Sequence, residues 1–150
     1  MEKYYEQPDE VKRVQQRPEQ HYQVGSKPGG IETPRSLIDH ELRKKLRELP
    51  KDRQPKIPNG PDRKSQYMWR IGPRPSKTRF KELNSEPVIP EGFPEWKKIM
   101  DSWGYKMLST VEAVAELAAI GFDLPKDSFT NLMKMGPHLL GPTGSDFGGH

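Results

Sequence analysis

Four histidines are the residues of this chain best suited to bind a metal ion. A non-haem iron centre places two histidines and one carboxylate on one face of the metal, and its sequence pattern is His-x-Asp/Glu followed much later by a second histidine. His21 is followed by Tyr-Gln, His40 by Glu-Leu and His138 by Leu-Leu. His150 is the last residue. No histidine therefore has an acid two positions on, and we predict no catalytic, cofactor-binding or metal-binding residue in this chain.

Other reactive motifs are equally incomplete. The stretch GPTGSD at 141–146 lacks the Gly-Lys-Ser/Thr ending of a phosphate loop, so it predicts a turn. Ser109 lies within a helical pattern and no Gly-x-Ser-x-Gly elbow is present. The chain contains no cysteine, which excludes disulfides and thiolate metal sites.

A basic segment extends from Arg43 to Lys81. It holds fourteen of the 25 basic residues and three of the 21 acidic ones. Tyr67, Trp69 and Phe80 lie within it, so it combines cations that neutralise phosphates with rings that stack on bases. No RNP, KH, zinc-finger or helix-turn-helix pattern accompanies it. We therefore disfavour a nucleic-acid partner and expect any such binding to be weak and steeply salt-dependent.

Composition indicates a modest core in one domain. The 150 residues include sixteen prolines and only 31% hydrophobic residues, and mean hydropathy is −0.96. The longest near-apolar run, 111–120, contains two glutamates and falls far short of the ~20 residues of a membrane span. The first twenty residues are too polar for a signal peptide. We expect a cytoplasmic protein without membrane association.

The chain divides into four segments of one incomplete domain. Residues 1–33 predict an N-terminal helix, broken by a proline, and a loop. Residues 34–50 predict an amphipathic helix, and 51–92 a basic, proline-rich connector with a short strand near 67–71. Residues 93–150 predict a long helix, a short helix and a terminal strand or loop.

Apolar spacing supports the two longer helices. Thr33-Pro34 is a typical helix start, and the helix over 34–50 has its apolar residues at helical intervals: Leu37, Ile38, Leu42, Leu46 and Leu49. The long helix is expected over Pro94 to Ile120, with Gly121 as its left-handed cap and Phe122 folding back on the last turn. Its apolar stripe comprises Trp96, Ile99, Met100, Trp103, Met107, Val111, Val114 and Ala118. A helix of ~40 Å is longer than this chain can easily cover, so we expect part of the stripe (Trp96, Ile99, Trp103 and Met107) to be exposed.

Three short stretches predict strands, and one a further helix. His21 to Val24 and Tyr67 to Ile71 are rich in strand formers and end at glycine-containing turns. Gly136 to Asp146 begins like a strand and leads into glycines. Asp127 or Ser128 can cap a helix that carries Phe129, Leu132 and Met133.

The chain resembles the isopenicillin-N-synthase-like, or clavaminate-synthase-like, branch of iron(II)/2-oxoglutarate-dependent oxygenases. The likeness follows the order of the family's features and covers most of the chain but no catalytic motif. It rests on Tyr4-Tyr5 before Gln7 to Lys12, His21 to Gly25, Trp69 to Gly72, Leu83-Asn84, Pro87 to Trp96, Trp103 to Leu124 and Gly136 to Asp146. Arg74-Pro75-Ser76 matches the sequence pattern of the family's Arg-x-Ser carboxylate clamp. Because it lies in the proline-rich connector, we treat the match as coincidence.

The resemblance implies the helical N-terminal part of a double-stranded β-helix (jelly-roll) enzyme. Iron(II) and 2-oxoglutarate are implied for the full-length family, which oxidises small organic substrates, and the iron ligands would come from barrel strands C-terminal to the matched region. None of these ligand positions maps onto this chain. We therefore expect a mainly α fold with one to three short strands and no barrel, and no cofactor bound by this chain alone.

Two functions follow from these observations. The first is an N-terminal oxygenase fragment, not catalytic by itself, whose partner is the missing barrel or a larger protein surface. The alternative is a small basic adaptor or structural subunit, without enzymatic activity, of a larger assembly, either with or without RNA.

Overall fold

The computed structural model describes residues 1–145 and combines helices with one small antiparallel sheet. The expected mixture of helices and short strands is confirmed, although the described residues form four strands rather than one to three. The elements are α1 Glu2–Tyr5, α2 Asp9–Arg13, β1 Gly25–Lys27, α3 Arg35–Ile38, α4 His40–Glu48, β2 Ser65–Arg70, α5 Trp96–Gly121, α6 Ser128–Met133, β3 Leu139–Leu140 and β4 Thr143–Gly144. Single 3-10 turns occupy Pro18–Gln20, Lys51–Arg53 and Lys81–Asn84.

The central strand of the sheet is β2, which confirms the strand predicted near 67–71. It pairs with β1 on one side and with β3 and β4 on the other, always antiparallel. Both β3 and β4 keep one register against β2, so residues 139–144 act as a single strand interrupted at Gly141-Pro142. Although Pro142 has no N–H, its carbonyl accepts from the Tyr67 N–H at 3.0 Å. The expected terminal strand is therefore present, apart from residues 146–150, which lie outside the described residues.

The prediction of a strand at His21 to Val24 is wrong. His21 (φ 51°) and Tyr22 (φ 55°) adopt left-handed backbone conformations, which are incompatible with an extended strand. The strand begins only at Gly25, where Ser26 and Lys27 pair with β2.

The single helix predicted over 34–50 is divided into α3 and α4 at Asp39. The Asp39 backbone is extended (φ −94°, ψ 102°), and its side chain accepts from the Leu42 N–H at 2.8 Å. An aspartate that satisfies a free helical N–H is a strong N-cap, so it starts a new helix here. Pro34 stands at the N-cap position of α3 rather than within its first turn.

Helix α5 is confirmed, but its predicted end is wrong in detail. Gly121 is the last helical residue, and the left-handed residue is Asp123 (φ 56°). The Leu124 N–H then bonds to the Ala119 carbonyl at 2.9 Å and closes the helix end. The Phe122 ring meets the Phe129 ring of α6 edge-on, with the ring centroids 6.3 Å apart.

The core lies between one face of β2 and the first turns of α1 and α5. Tyr67 and Trp69 project from the same face of β2, are fully buried, and pack with the buried residues Tyr4, Trp96 and Met100. Aromatic rings meet edge-on, for example Tyr67 and Trp96 at 4.6 Å between centroids, a favoured geometry for such pairs. The core therefore fixes the N-terminal half of α5 on the sheet.

Candidate functional site

An apolar surface along α5 is left uncovered in the described part of the chain. Six large residues occupy it, each between 41% and 69% exposed: Ile99, Trp103, Met107, Val111, Val114 and Leu117. Their intervals of three or four residues place them on one helical face, over about 27 Å at 1.5 Å per residue. We call these six residues the α5 stripe. Its exposure confirms the expectation for Ile99, Trp103 and Met107, whereas Trp96 is buried, contrary to prediction, because it packs in the aromatic core.

A neighbouring face of α5 binds the sheet and so turns the stripe outward. Trp96, Met100 and Gly104 follow at four-residue intervals and are buried. Gly104 allows α5 to lie directly against Ile71, because a Cβ at this position would overlap Ile71 Cγ2. Trp69 Nε1 donates to Asp101 Oδ1 at 2.8 Å and fixes the rotation of the helix. The sheet therefore occupies one side of α5 and leaves the side that carries the stripe free.

The C-terminal half of α5 is covered on a further side by α6. Ala119 is fully buried there, and Lys126 forms an ion pair with Glu116 at 3.1 Å across the connection to α6. Neither contact reaches the stripe residues Val114 and Leu117, which stay 60% and 69% exposed.

A groove of about 480 Å³ adjoins the N-terminal end of the stripe. Its lining includes Phe93, Trp96, Ile99 and Trp103, together with Pro142 and the N-terminal residues Met1 and Lys3. The groove is thus bounded by the start of α5 and the segment before it, by the strand of residues 139–144, and by the N-terminus.

Residues 139–144 border this groove, and the edge of this strand that faces away from β2 is unpaired among the described residues. The carbonyls of His138 and Pro142 accept from the N–H groups of Ile71 and Tyr67, and alternation along a strand directs the backbone groups of residues 139, 141 and 143 the opposite way. No described strand pairs with that outer edge. An open edge can accept a further strand, so the groove lies beside two uncovered features, the stripe and the edge.

The three histidines within residues 1–145 do not come together. His21 lies in the turn before β1, His40 on α4, and His138 before β3, where its Nε2 lies 3.0 Å from the Met133 carbonyl oxygen. Within residues 1–145, no three His, Cys, Asp or Glu side chains are placed to hold a metal ion. The residues present here do not fit the iron centre that the resemblance implies for full-length members. His150 lies outside the described residues.

Arg74 is likewise engaged elsewhere. Its guanidinium pairs with the Glu86 carboxylate at 2.5 Å, in the connector between β2 and α5. The residues present do not fit a 2-oxoglutarate clamp at Arg74-Pro75-Ser76.

A buried arginine, Arg70, was not anticipated from sequence. It is only 5% exposed, and its Nη2 donates to the Pro73 carbonyl at 3.0 Å while Nη1 donates to the Ile71 carbonyl. Its Nε has no partner among the described residues. Burial, with a smaller contribution from nearby Arg74, lowers the pKa of the guanidinium. Because Nε is itself enclosed, we assign Arg70 to holding the turn at Gly72 and not to ligand binding.

Most of the aromatic residues of the basic segment are buried. Tyr67 and Trp69 are fully buried, and only Phe80 is exposed. Two of the three rings expected to stack with bases are therefore inaccessible.

Comparisons with known proteins give no further guide. No protein family model matches the chain, and neither the curated proteins nor the solved structures contain a match. Across the described residues, no helix has both the length and the apolar character to cross a membrane.

Proposed function

We propose that this chain is an N-terminal, non-catalytic part of an iron(II)/2-oxoglutarate-dependent oxygenase of the isopenicillin-N-synthase-like family, and that it docks onto the β-structure that carries the active site. The observation that carries this proposal is the α5 stripe beside the groove and the open edge of residues 139–144. The order of family-like features along the sequence agrees with it.

The arrangement suits a β-sheet partner. A strand added at the outer edge of residues 139–144 would gain main-chain hydrogen bonds to Leu139 and Thr143 and to the Gly141 N–H, while the Gly141 carbonyl already accepts from the Thr143 hydroxyl at 3.1 Å. Its apolar side chains would cover the groove next to Trp103. Iron ligands and the small organic substrate would then belong to that partner.

The decisive experiment is to sequence the transcript beyond codon 150 together with the neighbouring reading frames. The proposal expects a His-x-Asp motif followed by a later histidine in one of them. Absence of such a motif from both would refute it, as would turnover of 2-oxoglutarate by the purified, metal-loaded 150-residue chain alone.

Co-purification of this chain with the encoded segment then tests the surface. Trp103→Glu in the stripe should abolish the complex, because it places a charge in an apolar interface. Leu132→Glu is the matched control, since Leu132 is an 82% exposed apolar residue on α6. Equal loss of binding in both variants would exclude the stripe as the contact.

The second candidate is a small basic adaptor or structural subunit of a larger assembly. It is favoured by the exposed cations on α4 and in the loop after it, which have no ion-pair partner among the described residues. It predicts co-purification with a large complex and no His-x-Asp reading frame nearby, so the same sequencing experiment separates the two candidates.

A further inference from the structure

The basic segment separates into cations that the fold uses and cations that it leaves free. Arg70 is buried, Arg74 pairs with Glu86, and Lys64 pairs with Asp62 at 2.7 Å. Arg43 is half-buried and donates to the Ser36 carbonyl at 3.0 Å. These four cations are therefore either buried or bound to a partner within the chain.

Six cations on α4 and in the first part of the loop after it, up to Lys56, have no such role. They are exposed, and none has an ion-pair partner among residues 1–145. They are Lys44, Lys45, Arg47, Lys51, Arg53 and Lys56. We call them the free basic set. Only two acids, Glu48 and Asp52, lie between its first and last members, so the set keeps a strong positive field that attracts anions.

The helix α4 orients part of this set. Lys44 and Arg47 are three residues apart and so lie on one side, about 4.5 Å apart along the axis. With His40, Arg43 and one acid, Glu48, they line a shallow depression of about 290 Å³. The Asp39 cap and the contact of Arg43 with α3 hold this side in place before any ligand arrives.

We infer that the free basic set binds the phosphate backbone of nucleic acid, without reading bases. Backbone binding needs exposed lysines and arginines only, whereas base stacking needs accessible rings, and Tyr67 and Trp69 are buried. A membrane fits less well because residues 33–56 contain no aromatic anchor and the apolar Leu42 and Leu46 are half-buried. This inference is independent of the oxygenase proposal and concerns a different surface.

The salt dependence of binding follows from the number of cations involved. If four of the six contact phosphates of a single strand, log K should fall with log[salt] at a slope of about −2.8. Affinity should then drop roughly 50-fold between 50 and 200 mM KCl. Lys44→Gln with Arg47→Gln removes two contacts and should reduce the slope to about −1.4.

The test uses fluorescence anisotropy of the full chain with a labelled 20-nucleotide oligo-U and a mixed-sequence oligomer of equal length. The control variant is Lys97→Gln with Lys98→Gln, which changes net charge equally. Lys97 and Lys98 are exposed lysines already paired with Asp101 and Glu95. We expect the two oligomers to bind with similar affinity. The control variant should keep the wild-type salt dependence, and the Lys44/Arg47 variant should show about half of the wild-type slope of log K against log[salt].

Four results would overturn the inference. They are no binding at 50 mM KCl, equal slopes in the two double variants, a strong preference for one oligomer that persists at 200 mM KCl, and binding to phosphatidylserine vesicles in place of oligomers. The last result would identify a membrane surface as the partner. Circular dichroism of both variants shows whether α4 is retained, so that a loss of slope reports on charge.

Discussion

The contact between Gly104 and Ile71 should control both the stability of the chain and the orientation of the α5 stripe. A Cβ at position 104 would overlap Ile71 Cγ2 and come within 3.4 Å of both Ile71 Cβ and Cδ1. Ile71 is 5% exposed, and its β-branched side chain has few alternative rotamers. Gly104→Ala therefore forces the helix and strand apart.

The magnitude can be worked from two opposing terms. Overpacking a well-filled core costs about 1–3 kcal/mol, and the stiffness of Ile71 favours the upper part of that range. Replacing a mid-helix glycine by alanine gains about 1 kcal/mol in helix propensity. The net expectation is a destabilisation of about 1–2 kcal/mol, measured as the free energy of unfolding in urea by far-UV circular dichroism.

Gly121→Ala supplies the matched control. Gly121 is also in α5, but a Cβ there would meet no atom within 4 Å, so only the propensity gain applies and stability should rise slightly. In the background Ile71→Ala, which removes Cγ2, Gly104→Ala should become neutral or stabilising. If Gly104→Ala stabilises the wild-type chain as much as Gly121→Ala does, the close contact does not exist and the reasoning fails.

Three further predictions concern other parts of the molecule. Trp96→Ala should lower the free energy of unfolding by about 3–5 kcal/mol, because a large buried side chain is lost. Trp103→Ser should change the free energy of unfolding by less than about 0.5 kcal/mol. Similar urea midpoints for the two variants would contradict the burial assigned to these two residues. Burial raises the pKa of Tyr67 above its ordinary 10.0, so the contribution of Tyr67 to stability should be constant below pH 10 and be lost above it, where only the unfolded chain ionises this group. Tyr67→Phe should make the alkaline loss of stability shallower, and an unchanged slope in equilibrium unfolding would count against this assignment. Asp39→Ala should reduce hydrogen-exchange protection of α4 amides and spare those of α5, and uniform loss would show that the cap does not act locally.

Sequence patterns predicted the elements whose signal is local. The aromatic run around Trp69 predicted β2, and the long apolar periodicity predicted α5 within two residues at its start. The Asp39 cap also carried a local signal, since aspartate before a charged helical turn is a typical start. The periodicity of 34–50 obscured it, because apolar spacing continues across the break.

The burial pattern of α5 could not be read from spacing alone. Apolar residues cover more than half of its circumference, and periodicity does not say which side the chain itself covers. One signal was available: a glycine within a helix lowers helix stability, so Gly104 between Trp103 and Tyr105 suggests a close packing contact. The burial of Arg70 had no comparable signal, because its partners are carbonyl oxygens of residues adjacent in sequence and of the distant His138.

The energetics of the α5 stripe indicate what kind of partner can occupy it. Full burial of a large apolar side chain contributes about 1.5–3 kcal/mol, so covering six roughly half-exposed residues would contribute about 5–10 kcal/mol. Association alone costs about 4–15 kcal/mol, so a partner that contacts only the stripe would bind weakly at best. A partner that also adds a strand to the open edge at Leu139, Gly141 and Thr143 gains main-chain hydrogen bonds and fills the groove beside Pro142. Stable docking on this chain therefore requires stripe, groove and edge together, which favours β-structure over a lone helix as the occupant.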